Sequence, residues 1–277
     1  MPVRSGAIHL HAGSSGPAAS TVNGLLAANR GWFASQRVGV IDASANTLMA
    51  PAGNAAPDAE TLRCTIVSAA ALLCDPEALL RGRFFPDAHA QATCLRALLG
   101  RPVERLVISV EPYDSLFAGA WRRVALDRPV EPLERFVPRF ASFEGGWLDC
   151  VEALRDGLDA VETLVATADL NPVETLAQLL PEGVTLGSLA QPSVPRVTDS
   201  AIAMVQHHRR LGVTYAPGQL DRLLSFHSQL PQIEDTCGFE GLALADMRGR
   251  YIADIDTLAR WKGITLIGQY AAAMAAE

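Results

Sequence analysis

Residues Ala7–Arg30 read AIHLHAGSSGPAASTVNGLLAANR, and the succession of residue types in them decides the fold: a short apolar run, a loop of small residues, then a helical pattern. Ala7, Ile8 and Leu10 give a brief buried strand, Gly13 and Gly16 permit a tight turn, and Ser20 or Thr21 is placed to cap a helix running to about Arg30. The first amides of such a helix have no intrahelical acceptor and stand at the positive end of its macrodipole. They therefore point back at the loop and form an anion cradle. Here that cradle is Ser14, Ser15, Gly16, Pro17, Ala18, Ala19 and Ser20, and Pro17 contributes no amide to it. A phosphate loop is usually completed by a lysine, but the chain's single lysine, Lys262, lies near the other end.

Outward from this turn the same alternation continues. Val38–Ile41 reads as a second strand, and 50–54 as a loop. Between Ala59 and Leu73 helix and strand compete, and the β-branched cluster Thr65-Ile66-Val67-Ser68 favours a strand. Pro86 and Asp87 open a helix whose face is Ala90, Cys94, Ala97 and Leu98, ending at Gly100. Arg105–Val110 is the clearest strand, apolar almost throughout as a parallel strand covered on both faces must be. A helix follows from Pro112, then short kinked helices over 129–140, an amphipathic helix from Trp147, a strand over 162–167 and a helix from Asn171-Pro172. The last third is helical over 200–210, 218–229 and 242–261, with a strand-like run at 264–267.

A chain of 277 residues, 49% hydrophobic and 19% charged, buries a sizeable core and is read as one α/β domain spanning 1–277. It has no apolar run long enough for a membrane span, and MPVRSGAIHLHAG lacks the apolar core of a secretory signal, so a cytoplasmic protein is expected. A net charge of −7 weighs against general nucleic-acid binding and leaves room only for a local basic groove. The five cysteines, Cys64, Cys74, Cys94, Cys150 and Cys237, include no C-x-x-C pair. They are read as buried reduced thiols, with neither a disulfide framework nor a metal site. Arginine in place of lysine, with abundant alanine, is the composition that a GC-rich bacterial genome produces.

The stretch from His11 to Arg30 resembles the opening of the bacterial sulfotransferase-like family, where a strand ending in His-x-Gly enters a Lys-Thr-Gly-Thr-Thr-type loop and then a helix ending in Asn-Arg. His11, Gly13, Asn29 and Arg30 match without a gap, while the five loop residues fall on Gly16, Pro17, Ala18, Ala19 and Ser20, of which only Ser20 keeps a hydroxyl. The family's Ser-Ser-Glu strand end falls on Ser68, Ala69 and Ala70. The arginine and serine that grip the 3′-phosphate of the donor phosphoadenosine phosphosulfate (PAPS) fall on Glu111 and Gly119. The Trp147 helix and the Tyr251-x-x-Asp254 helix resemble later family elements.

This resemblance implies a three-layer fold of the sulfotransferase and P-loop NTPase type, with a mostly parallel central sheet flanked by helices. It also implies PAPS or its desulfated product PAP as ligand, and a small-molecule or carbohydrate acceptor. The substitutions imply that sulfuryl transfer is lost or altered. A charge-assisted contact is worth ~1.5–3 kcal/mol, so exchanging arginine for Glu111 weakens donor binding by roughly a hundredfold or more. Two alternatives stand beside this: an active sulfotransferase with relocated arginines, and a non-catalytic nucleotide-binding, small-molecule-binding or protein-partner module.

For catalysis the candidate base is His11, delivered with His9 to one side of the strand end; a structural hydrogen bond is its alternative role. His207, His208, Arg209 and Arg210 form a basic tip expected to be a solvated helix cap, with acceptor recognition as the alternative. The run GSSGPAAS lacks G-x-S-x-G spacing, which disfavours a serine hydrolase.

Overall fold

Runs of apolar residues too short for helices and nearly free of polar ones need cover on both faces, and the economical arrangement for them is a parallel sheet with helical crossovers. The computed structural model, which describes residues 6–14, 17–43, 62–192, 197–231 and 239–268, has this arrangement. The strands are β1 (Ala7–Gly13), β2 (Val38–Asp42), β3 (Cys64–Ser68), β4 (Arg105–Ser109), β5 (Glu162–Ala166) and β6 (Ile264–Ile267). They form one six-stranded sheet in the order β2-β3-β1-β4-β5-β6, parallel at every pairing. The helices are α1 (Pro17–Ala28), α2 (Arg30–Ser35), α3 (Pro76–Leu80), α4 (Ala88–Leu99), α5 (Tyr113–Asp127), α6 (Val137–Ala141), α7 (Trp147–Leu158), α8 (Pro172–Gln178), α9 (Asp199–Arg210), α10 (Gln219–Ser228) and α11 (Gly241–Leu258).

The period of two along each strand divides the interior into two cores. Ile8, Leu10 and Ala12 of β1 pack with Leu106 and Ile108 of β4 against α4, α5, α7 and α11. Ile66 of β3, Val107 of β4 and Leu164 of β5 pack against Val22, Leu25 and Leu26 of α1 and Leu176 of α8. His9 and His11 lie on this second face. From β1 the chain runs by α1 to β2 at one edge; from β3 it crosses over to β4 and then to β5 on the other side. The connections therefore diverge beside the carboxyl ends of β1 and β4, the position where an open α/β sheet leaves a crevice for a ligand.

Three sequence expectations need correction. The first helix begins at Pro17, so Ser20 and Thr21 lie within it and not at its cap position. Proline's fixed φ and missing amide suit the first helical position, which moves the start earlier than the hydroxyls implied. In α4 the buried face is Ala88, Ala92, Leu95 and Leu99, whereas Ala90, Cys94, Ala97 and Leu98 are exposed. This phase is set by α7: a side chain on Gly157 would put its Cβ 2.7 Å from that of Ala92, so only these two small residues let the helices approach. Finally, Cys74 and Cys94 are exposed; only Cys64 and Cys150 are buried thiols, and Cys237 lies outside the described residues. Burial pushes the Cys64 thiol up to about 12 and raises that of Cys150 as well, so both stay protonated.

Candidate functional site: a crevice with a carboxyl floor

The end of β1 reaches the crevice because Gly13 has no side chain. A Cβ there would stand 2.5 Å from the Cβ of Ala19, the close approach that lets α1 fold straight back over the strand. Two residues earlier, the fully buried His11 fills the space beneath α1. Its Nε2 lies 2.9 Å from Ser109 Oγ at the end of β4, and its Nδ1 lies 3.4 Å from Asn23 Oδ1 on α1. Ser68 Oγ, at the end of β3, donates to the same Asn23 oxygen at 2.7 Å. Asn23 Oδ1 is an acceptor, which assigns the ring proton to Nδ1 and leaves Nε2 to accept from the Ser109 hydroxyl. Burial holds the His11 pKa down at about 4, against the opposing hydrogen bond to Asn23. This neutral imidazole and Asn23 together thus tie three strand ends to α1. His9 is a second tie, with Nδ1 2.8 Å from the carbonyl of Leu179.

Glu111, two residues beyond β4, occupies the floor. Its carboxylate accepts a hydrogen bond from the hydroxyl of Ser14, the residue after β1. The two strand ends on either side of the divergence point are thus joined by a side-chain bridge. Burial pushes the Glu111 carboxyl up to about 7; the Ser14 hydrogen bond opposes the rise and nearby Asp114 adds to it. The side chain still keeps partial solvent contact. The backbone beneath it is fixed by Trp147, whose indole N–H donates to the Glu111 carbonyl at 2.9 Å.

Behind the floor is a polar knot. Tyr113 donates to Asp254, and the amide of Trp147 donates to the Tyr113 hydroxyl at 2.8 Å and to Asp254 Oδ2 at 3.3 Å. Gly146 makes room for it, since a Cβ there would meet the Tyr113 hydroxyl at 2.9 Å. Arg250 donates to the carbonyls of Gly145 and Phe143 and lies over the Phe143 ring. Arg248 pairs with the fully buried Asp114 at 3.3 Å.

The predicted site residues fare unequally. His11, Gly13, Ser14 and Glu111 converge at the crevice; Ser15 and Gly16 lie outside the described residues, as does the 50–54 loop. Pro17 and Ala18 begin α1, and Ala19 is buried against Gly13. Gly119 lies in the second turn of α5, where an added Cβ would meet nothing within 4 Å, so a serine would fit and its absence is not a packing requirement. Asn29 holds the chain at Ala190, donating to its carbonyl and accepting from its amide. Arg122 pairs with Asp199, away from Glu111. The basic tip of α9 is not a free solvated cap: Arg209 and Arg210 donate to the carbonyls of Leu126 and Val130.

Sequence reading missed Asn23 and Ser109, the partners of His11. A signal was present: Asn23 interrupts the apolar set Val22, Leu25 and Leu26 on a helix that must pack against the sheet. Comparison of the chain with protein-family models, curated proteins and solved structures finds no match.

Proposed function

We propose that this is a sulfotransferase-like α/β protein whose crevice no longer serves PAPS-dependent sulfuryl transfer and instead takes a ligand bearing hydroxyl or amine donors. The observation that carries this is the Ser14–Glu111 bridge. A phosphate or sulfate in the loop needs donors around it, and here the first hydroxyl is already engaged by a carboxyl standing where the resemblance calls for an arginine. That carboxyl repels an anion whenever it is ionised. The residues present therefore do not fit PAPS, and no transfer step is routed through it. A carboxyl with a pKa near 7 does suit a ligand donor, because it accepts hydrogen bonds in either protonation state and exchanges a proton near neutrality. His11 is unsuited to be the base, with both ring nitrogens engaged and its pKa depressed.

The test is calorimetric titration with PAP. The expected result is no binding by the native chain and measurable binding by the double variant Glu111→Arg/Gly119→Ser. Submillimolar, strongly salt-dependent binding by the native chain would overturn the proposal in favour of an active enzyme with relocated arginines. Arg248, whose guanidinium is half-exposed beside Asp114, is the residue whose replacement by glutamine would then abolish it.

A further inference from the structure

We infer a second ligand site, separate from the crevice, that binds a soluble small molecule carrying two negative charges. Among the described residues, α3, the 128–136 segment, α6 and the end of α9 border an open groove of about 770 Å³. This lies in the range of small-molecule sites, ~300–1,000 Å³. Arg81, Arg128, Arg139 and Arg210 line it, opposed by Glu77 and Glu131. That leaves a surplus of two positive charges in a chain whose net charge is −7. The surplus defines the ligand: a dianion neutralises the groove. A long polyanion would meet repulsion from the acidic remainder of the protein.

Three of the four cations are held in place before any ligand arrives. Arg139 donates to the carbonyl of Leu80 at 3.0 Å, Arg210 to that of Val130 at 3.3 Å, and Arg128 forks onto Glu77 at 2.8 Å and 3.1 Å. Each backbone bond uses one of the five N–H donors of its guanidinium, so Arg139 and Arg210 keep donors for an oxyanion with little ordering left to do. The wall is equally fixed. Gln206, almost fully buried, donates to the carbonyls of Ala125 and Arg128 and accepts from the amide of Val130 at 2.9 Å. Val130 and Phe136 offer apolar surface for the ligand's carbon skeleton.

Inorganic pyrophosphate is the probe, titrated into the full chain by calorimetry without divalent cations, in a buffer on the acid side of neutrality where it is chiefly a dianion. We expect one submillimolar site that weakens as salt is added. Arg81→Gln/Arg210→Gln should weaken it by about tenfold or more, the loss of charge-assisted bonds, with unchanged circular dichroism. Arg81→Gln alone, at an exposed position, should weaken it several-fold and keeps the test valid if the double variant misfolds. Glu111→Gln should leave the affinity unchanged, because the crevice is a different site. No heat at millimolar pyrophosphate, undiminished binding by the arginine variants, or a loss caused by Glu111→Gln would each overturn the inference.

Discussion

The crevice beside β1 and β4 and the groove at the end of α5 are opposites. The first stands where the topology of a parallel sheet puts ligands, and a hydroxyl and a carboxyl meet on its floor. The second stands at the edge of the helical layer, and four arginines line it. The difference teaches that the place of a binding site and its chemistry have separate origins. Backbone divergence makes the crevice whatever side chains line it, whereas the character of the groove comes from side chains: Arg139 and Arg210 are tethered to the carbonyls of Leu80 and Val130, and Arg128 to Glu77.

The comparison breaks most readily at His11. Its replacement by alanine leaves Ser109 and Asn23 short of a partner and opens a space beneath α1, and we expect a loss of about 2–4 kcal/mol at neutral pH, read as a lower midpoint in denaturant. Pyrophosphate binding at the groove should survive in whatever fraction remains folded. A loss below about 0.5 kcal/mol would show that the buried network does not hold the crevice together.

The next effect is smaller and has a sign. Glu111 has a raised pKa in the folded state, so its contribution is greatest below its ordinary pKa of 4.5 and is lost as pH rises toward and through about 7. His11 has a depressed pKa, so its contribution is complete above 6.5 and is lost as pH falls toward about 4. The two slopes oppose each other where their windows overlap. Glu111→Gln keeps an acceptor for Ser14 and removes the ionisation. It should gain roughly 1–3 kcal/mol relative to the native chain above pH 7, and leave stability rising with pH up to about 6.5. Parallel pH profiles for the native chain and this variant would refute the buried-carboxyl floor.

The smallest effect sharpens the other half of the comparison. Glu77→Gln breaks a surface pair with Arg128 whose members are both about half-exposed, so stability should change by only ~0–1 kcal/mol. It frees the Arg128 fork, however, and should tighten pyrophosphate binding. Unchanged or weaker binding, measured by the same calorimetry, would show that Arg128 does not face the ligand.

Much of the fold was legible because the pattern is local. Arg105–Ser109 is apolar almost throughout, and β-branched residues mark Thr65–Ser68, so β4 and β3 lie where they were expected. The helix from Trp147 shows its buried face, Trp147, Val151 and Leu154, by spacing alone. The phase of α4 was not legible, because alanines and a cysteine offer two nearly equal apolar stripes and a glycine 58 to 69 positions away on α7 selects between them. At the site, His11 and Glu111 were identifiable as positions but not as partners. The contacts His11–Ser109 and Ser14–Glu111 span 98 and 97 residues, and nothing in either segment names the other.

Taken by itself, the amino-acid order determined that short apolar strands alternate with helices, that a glycine-bearing turn joins the first strand to the first helix, and that this turn carries no lysine. These follow from side-chain periodicity and backbone restrictions acting within a few residues. Only the tertiary structure decided that β1 lies between β3 and β4, that Glu111 closes onto Ser14, and that arginines far apart in the chain meet in one groove. The physical reason is that packing and electrostatics act through space, and strand pairing sets which distant residues come within their reach.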